Sequence, residues 1–234
     1  MQLRQSLKAD LPPLEPPDEA RWIRLNKITY TDPIGRSRSW ESAERQTRPT
    51  TSQTDGVGVV AILHHATGPA LLLQKQFRPP LNTVTVEVPS GLIDANETAS
   101  QCALRELKEE TGYIATIPEP TPPPPADDNN NTAESFVMHN DPGFCNTNTQ
   151  MVTVQVDMTD PRNRSENLKP ELEENEFIEC FSLPLETLWE DLTRLERDEG
   201  VAIDARVGTL AMGMEIAKRF GLGRASKGEE EVRN

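Results

Sequence analysis

Short apolar runs separated by polar gaps dominate the chain, and their period changes from one segment to the next. Gly56–His65, Ala70–Gln76 and Val84–Val88 are apolar-rich stretches of strand length, as are Met151–Asp157 and Glu176–Ser182. Two later segments repeat at helical spacing. Leu185–Arg197 places Leu185, Leu188, Trp189, Leu192 and Leu195 on one side, and Asp204–Phe220 does the same with Val207, Leu210, Ala211, Met214 and Ala217. Near the start, Trp22–Tyr30 and Ser37–Arg45 are β-prone and flank Thr31-Asp32-Pro33-Ile34-Gly35. There Pro sets φ and Gly tolerates positive φ, so the pair predicts a hairpin. A ribbon of that size is not stable alone, so it must lean on the main domain or on another subunit. Strands interleaved with helices predict an α/β fold, a mixed sheet covered on both sides.

The first helix, Thr98–Thr111, departs from an ordinary surface helix. Its ends are signalled by a Thr98/Gln101 capping box and by Gly112 at the position after the last turn. Ala99, Cys102, Ala103 and Leu107 form the inward stripe, but Glu106 and Glu110 fall in the same sector and Glu109 sits at its edge. Like charges at i,i+4 repel, the helix C-terminus is already negative, and an unpaired buried carboxylate costs several kcal/mol more. A bound hard cation would remove all three penalties, since such ions take oxygen ligands. The competing reading is a solvated acidic face, with Lys108 on the opposite side as partial balance.

Composition narrows the function classes. The 234 residues carry 38 acidic and 24 basic side chains, a formal net charge of −14, which argues against a nucleic-acid polymer as partner. Hydrophobic residues make up only 35%, partly because residues 11–17 and 118–125 are rich in the chain's 20 prolines. The expected organisation is a loose arm over 1–20, a hairpin subdomain over 21–55, a main domain over 56–220 with a Pro/Asn-rich loop insertion at 117–132, and a frayed tail at 221–234. No apolar run approaches membrane-spanning length and no secretory leader is visible, so a reduced, cytoplasmic protein is expected. Nuclear or organellar import stays open. Cys102, Cys145 and Cys180 are read as small buried hydrophobes. His64 and His65 face opposite sides of a strand, His139 falls in a loop, and none has metal-ligand spacing.

Around the first helix the residues read Gly91-x5-Glu97-x7-Arg105-Glu106-Leu107-x-Glu109-Glu110-x-Gly112-Tyr113. This resembles the signature of the Nudix hydrolases, G-x5-E-x7-R-E-U-x-E-E-x-G-U, with U apolar. The fixed residues would coincide by chance on the order of 10⁻⁸ per starting position. Tyr113 is a less usual final U. In physical terms, Gly91 lets the chain turn from strand to loop, Glu97 pairs with Arg105 to brace the helix, and Arg105 steers the carboxylates. The resemblance implies that Glu106 and Glu110 would be the principal metal ligands, with Glu109 as helper.

Further strings are similar to the ADP-ribose pyrophosphatase branch of that family: Trp22-x17-Trp40-Glu41-Ser42, Gln76-Phe77-Arg78-Pro79-Pro80, Val88-Pro89-Ser90-Gly91-Leu92-Ile93-Asp94, Asp141-Pro142-Gly143 and Asp204-Ala205-Arg206-Val207. The resemblance implies an α/β/α sandwich with a small N-terminal antiparallel β subdomain exchanged across a homodimer. It implies stacking of the purine on Trp22 and Trp40, which composition alone would assign to the hairpin's own core. It implies substrate contacts by Arg45 and Arg78, the latter held extended by two prolines, and by Glu41, Leu92 and Asp141. Asp141-Pro142-Gly143 also reads simply as a turn. Metal contacts extend to the Ser90 carbonyl. The implied reaction is hydrolysis of a phosphoanhydride with two or three Mg²⁺ ions, or Mn²⁺ as substitute, giving AMP and ribose 5-phosphate. Glu176 matches the general base, with Glu174 as competitor. Other readings are a Nudix enzyme for another nucleoside diphosphate derivative, a non-catalytic ADP-ribose sensor, or a mere scaffold. The last leaves the misplaced carboxylates unexplained.

Overall fold

The computed structural model describes residues 20–119 and 133–222. The expected arm (except Ala20), the tail beyond Leu222 and residues 120–132 of the insertion lie outside the described residues.

The predicted hairpin forms as β1 (Ile23–Thr31) and β2 (Ser37–Arg45), antiparallel, with Ile23 opposite Arg45 and Thr31 opposite Ser37. The Asp32 carboxylate accepts from the N–H groups of Ile34 and Arg36, which fixes the turn. Trp22, Leu25, Ile28, Tyr30 and Trp40 are all exposed, so the ribbon has no core of its own. It leans on the main domain through one end. The Ala43 N–H donates to the Phe144 carbonyl (2.9 Å), and the Trp40 indole N–H donates to the Gly143 carbonyl (2.9 Å). Just past β2, Arg48 forms a bidentate pair with Asp55 (both 2.8 Å), and Asp55 also accepts from the Asn148 N–H.

The main sheet contains β3 (Gly56–His65), β4 (Gly68–Arg78), β5 (Thr83–Glu87), β6 (Ser90–Leu92), β7 (Met138–His139), β8 (Asn148–Asp157), β9 (Ile178–Pro184) and β10 (Ala202–Ile203). It is mixed, as expected: β3/β8 and β5/β10 are parallel, the other pairs antiparallel. Side chains alternate between two cores. Val57, Val59, Ala61, Leu63, Leu72, Val152, Val154 and Val156 face α1 (Ala99–Thr111), meeting Cys102, Ala103 and Leu107. Leu71, Leu73, Val84, Val86 and Val88 face α2 (Leu188–Glu199) and α3 (Ala205–Phe220), meeting Leu188, Leu192, Val207 and Ala211. Each buried Val or Leu among them contributes about 1.5–3 kcal/mol, so a one-residue slip of a strand would forfeit the register. The layers are therefore helix, sheet, helix.

α1 has the ends its sequence announces. Both bonds of the Thr98/Gln101 capping box are present, and Gly112 takes φ 77°, a left-handed conformation only glycine adopts freely. β6 lies against β3 with Val57 opposite Gly91. The approach is so close that a Cβ on Gly56 would stand 2.4 Å from the Gly91 carbonyl oxygen.

Four local expectations change. Leu185–Thr187 form a 3-10 turn, and the α-helix begins only at Leu188. Trp189 is exposed because the inward face is set by Leu188 and Leu192, with buried Asp191 bonded to the Thr187 hydroxyl (2.6 Å). His139 is in β7 rather than a loop. Cys102 is buried and Cys145 half-buried, but Cys180 is exposed, because β9 pairs only with β4 among the described strands. Its thiol still reaches the Glu110 carbonyl oxygen (3.8 Å), and burial of that sulfur pushes it up to about 12. Among the described residues no helix is long and apolar enough to cross a membrane.

Candidate active site

The carboxylate end of α1 is organised by one guanidinium. Arg105 forms two bonds to Glu97 (Nε–Oε1 2.8 Å, Nη2–Oε2 2.9 Å) and, through Nη1, reaches Glu106 (2.8 Å) and Glu109 (3.0 Å). Nη2 also donates to the Leu92 carbonyl (3.1 Å), tying the helix to β6. The Glu97 carboxyl is held below its ordinary value by the Arg105 hydrogen bond. Arg105 thus relieves part of the carboxylate crowding without a cation, whereas Lys108 is exposed.

Glu106 lies against Gly91. A Cβ at Gly91 would fall 1.9 Å from the Glu106 carboxyl, so glycine is required to leave space for that group. Gly91 has no positive φ, so the expected turn role gives way to close approach. Burial pushes Glu106 up; Arg105 opposes this, while the charges of Glu109 and Glu176 add to it.

Glu110 is 5% exposed and has no cationic partner among its hydrogen bonds. Oε2 accepts from the Ser90 N–H (2.9 Å) and Oε1 from the Gln74 amide (3.3 Å). Burial dominates and raises its carboxyl to about 8 despite those two donors, with the charges of Glu106 and Glu176 adding to the shift. Glu176 is half-buried, accepts from the Glu173 N–H (2.9 Å) and acts on both Glu106 and Glu110, whereas Glu174 is exposed.

A second buried glutamate, Glu87, sits nearby on β5. Arg78 grips both of its oxygens (2.6 Å each), Thr85 donates to it, and Arg206 stands 3.8 Å away. Arg206 is itself paired with Asp204 (2.8 Å), whose carboxyl burial would raise and Arg206 lowers. Arg78 is extended (φ −111°, ψ 104°), as its prolines require.

The Ser90–Gly91 backbone that Glu110 and Glu106 adjoin also lines a cavity of about 1140 Å³, together with Arg45, Arg78, Leu92 and Arg206. The structure thus brings Arg45, Arg78, Leu92 and Ser90 together around one cavity, which the Ser90–Gly91 backbone joins to Glu110 and Glu106. Glu41 is on β2 and exposed. Asp141 is also exposed, and its carbonyl accepts from the Phe144 and Cys145 N–H groups as a turn. Trp22 and Trp40 are 62% and 50% exposed and do not meet within one chain. Trp22 adjoins Gln46 and Trp40 faces Ile28, about 20 Å apart along the ribbon. His139, given no role from sequence, lines the cavity. Gln74 and Glu87 were missed as well. Their signal was a polar residue inside an apolar strand run, at the parity of the α1-facing core.

As they stand, no three His, Cys, Asp or Glu side chains among the described residues are arranged to hold a metal ion. Glu106 and Glu109 are turned to Arg105 instead. The donor set still fits a hard cation. Glu110 is buried and held only by neutral donors, Gly91 leaves room at Glu106, and the buried Gln74 Oε1 has no hydrogen-bond partner.

The comparisons agree with this geometry. The model of the NUDIX domain matches residues 53–205. The chain is 45% identical over 206 residues to the ADP-ribose pyrophosphatase of Saccharomyces cerevisiae, covering 86% of this chain and 80% of that protein. It is 34% identical over 203 residues to the ADP-sugar pyrophosphatase of Mus musculus, covering 85% and 84%. An ADP-ribose pyrophosphatase of Bacillus subtilis matches at 32% over 129 residues, 55% of this chain and 59% of that one. Nudix hydrolases generally need divalent metal ions. With the signature's carboxylates gathered on one helix end, a cavity beside them and the match spanning well over half its length, this chain belongs to the Nudix family and is a Nudix hydrolase.

Proposed function

We propose that this enzyme hydrolyses the diphosphate of ADP-ribose to AMP and ribose 5-phosphate, with Mg²⁺ as the working ion and Mn²⁺ as a substitute. The observation that carries the reading is that the Ser90–Gly91 backbone touches buried Glu110 and half-buried Glu106 and also lines an arginine-bearing cavity. The names of the yeast and mouse relatives support the substrate class. Glu106, Glu110, the Ser90 carbonyl and, in support, Glu109 would hold the ions. When bound, these would neutralise the diphosphate and acidify the attacking water.

The chain's own groups do the rest. Arg45 contacts the substrate from the cavity wall. Arg78, immobilised by Glu87, presents a guanidinium whose direction is set before substrate arrives. Glu176 is the candidate base, favoured over Glu174 by its burial and by its influence on both ligand carboxylates. Trp22 and Trp40 stack the purine, with one indole supplied by each of two subunits. Exposed Leu25, Ile28 and Tyr30 on the ribbon support a homodimer through that subdomain. Glu41, Leu92 and Asp141 contact the nucleoside or terminal ribose. The three free cysteines support a reducing, cytoplasmic setting.

The test is incubation with ADP-ribose, with and without Mg²⁺, and identification of the products. AMP and ribose 5-phosphate appearing only with the ion is the expected result. The mouse relative's name favours a broader second reading, in which other ADP-sugars are also cleaved. Comparing kcat/KM for ADP-ribose and an ADP-hexose decides between them.

A further inference from the structure

Gln74 is the most deeply enclosed polar residue near the site, with 0% of its surface exposed. It lies on β4 among leucines, opposite Glu87 on β5 and Cys180 on β9. Its Nε2 donates to Glu110 Oε1 (3.3 Å), while its own Oε1 has no partner. With Glu110 ionised, as cation binding requires, the amide cannot be turned to cure this, because its oxygen would then confront a carboxylate oxygen. A buried acceptor without a donor lowers stability, and an apolar residue of the same shape would avoid the loss.

We propose that Gln74 is a positioning residue of the carboxylate site: its amide N–H orients Glu110, and its unpartnered Oε1 is an acceptor kept for the hydration shell of the cation. This rests on the divalent-cation reading above. The residue type supports it. Glu110 needs a donor on each oxygen to hold its direction, and Ser90 N–H supplies the other. A lysine or arginine in place of Gln74 would neutralise Glu110 and compete with the cation. A leucine would leave Glu110 Oε1 without its donor. A carboxamide orients the carboxylate and leaves its charge intact, and it brings an acceptor of the kind a hydrated ion requires.

The test uses the full chain and Mn²⁺ alone, with binding followed by calorimetry or by the spin-resonance signal of the free ion. Gln74→Met keeps the length of the side chain and removes both hydrogen-bonding atoms. Gln74→Leu, which matches its β4 neighbours, is the second variant should methionine pack poorly. Glu110→Gln is the reference. The expected result is about 10- to 100-fold weaker Mn²⁺ binding in the Gln74 variants. The Mg²⁺ concentration for half-maximal activity should rise, with KM for ADP-ribose at saturating Mg²⁺ unchanged. Unaltered Mn²⁺ affinity in the Gln74 variants, with Glu110→Gln weakened, overturns the role of Gln74 and leaves the cation reading standing. Unaltered affinity in all three variants overturns both. A lowered melting temperature with normal Mn²⁺ binding assigns Gln74 to packing alone and also overturns the proposal.

Discussion

Glu87 and Glu110 are the two buried glutamates among the described residues, and they treat their charge in opposite ways. Glu87, 3% exposed, is closed: a bidentate arginine and a hydroxyl use its oxygens, and a second arginine stands behind. Glu110 is open: only an amide and a backbone N–H reach it, and burial pushes its carboxyl up to about 8. The same residue type at the same depth therefore does different work. The closed carboxylate immobilises Arg78, and the open one has no cationic partner among its hydrogen bonds. A buried acid is informative about function only after its partners are known.

The largest effect that tests this contrast is kinetic. Glu110→Gln, and likewise Glu106→Gln, should lower kcat on ADP-ribose by about 10³-fold, with the circular dichroism spectrum unchanged. Turnover near the wild-type level in either variant would remove these residues from the site. Glu87→Gln should be mainly a stability change. It leaves the half-buried Arg78 short of its partner and should cost about 3 kcal/mol in urea unfolding, whereas Glu110→Gln should cost nothing or stabilise. Equal losses in both variants would erase the distinction.

Asp55 extends the closed class. Burial works to raise its carboxyl, but Arg48 and the Asn148 N–H override this and hold it below the ordinary 3.8. Its stabilisation is therefore present above that value and lost as the pH falls through the lower folded value. Asp55→Asn should cost about 2 kcal/mol at pH 7, and the gap to wild type should shrink below about pH 4 in urea titrations at each pH. A gap independent of pH would mean that the pair contributes nothing through its charge. The smallest effect concerns the space beside the open site. Gly91→Ala forces Glu106 aside and should lower kcat by about tenfold for a stability loss of about 1 kcal/mol. Full activity would show that Glu106 works from another position.

What sequence could disclose follows from how local each cause is. The Thr98/Gln101 cap, the Gly112 terminus, the Glu97–Arg105 pair and the hairpin at Pro33–Gly35 depend on neighbours within about ten residues, and all are present as expected. The signature itself lies in one segment of chain. The partners of Glu87 and Glu110 were hidden because they come from β4, β5 and β6, through registers that only the folded sheet fixes. Gln74 is 36 residues away from the carboxylate it holds. Trp189 was misplaced for a different reason: helical spacing identifies a stripe, but where the inward arc ends depends on what the helix packs against. The two tryptophans of the ribbon are exposed because nothing in a two-stranded sheet can cover them.

The nested approach of Gly56, Gly91 and Glu106 has a consequence for rebuilding this enzyme. Each is shaped to the absence of bulk in the next: a methyl on Gly56 meets the Gly91 carbonyl, and one on Gly91 meets the Glu106 carboxyl. Transplanting the Ser90–Glu97 segment from a homologue, in the hope of acquiring its preferences, would fail unless the opening residues of β3 travelled with it. A chimaera should therefore be cut ahead of Gly56 rather than at the loop.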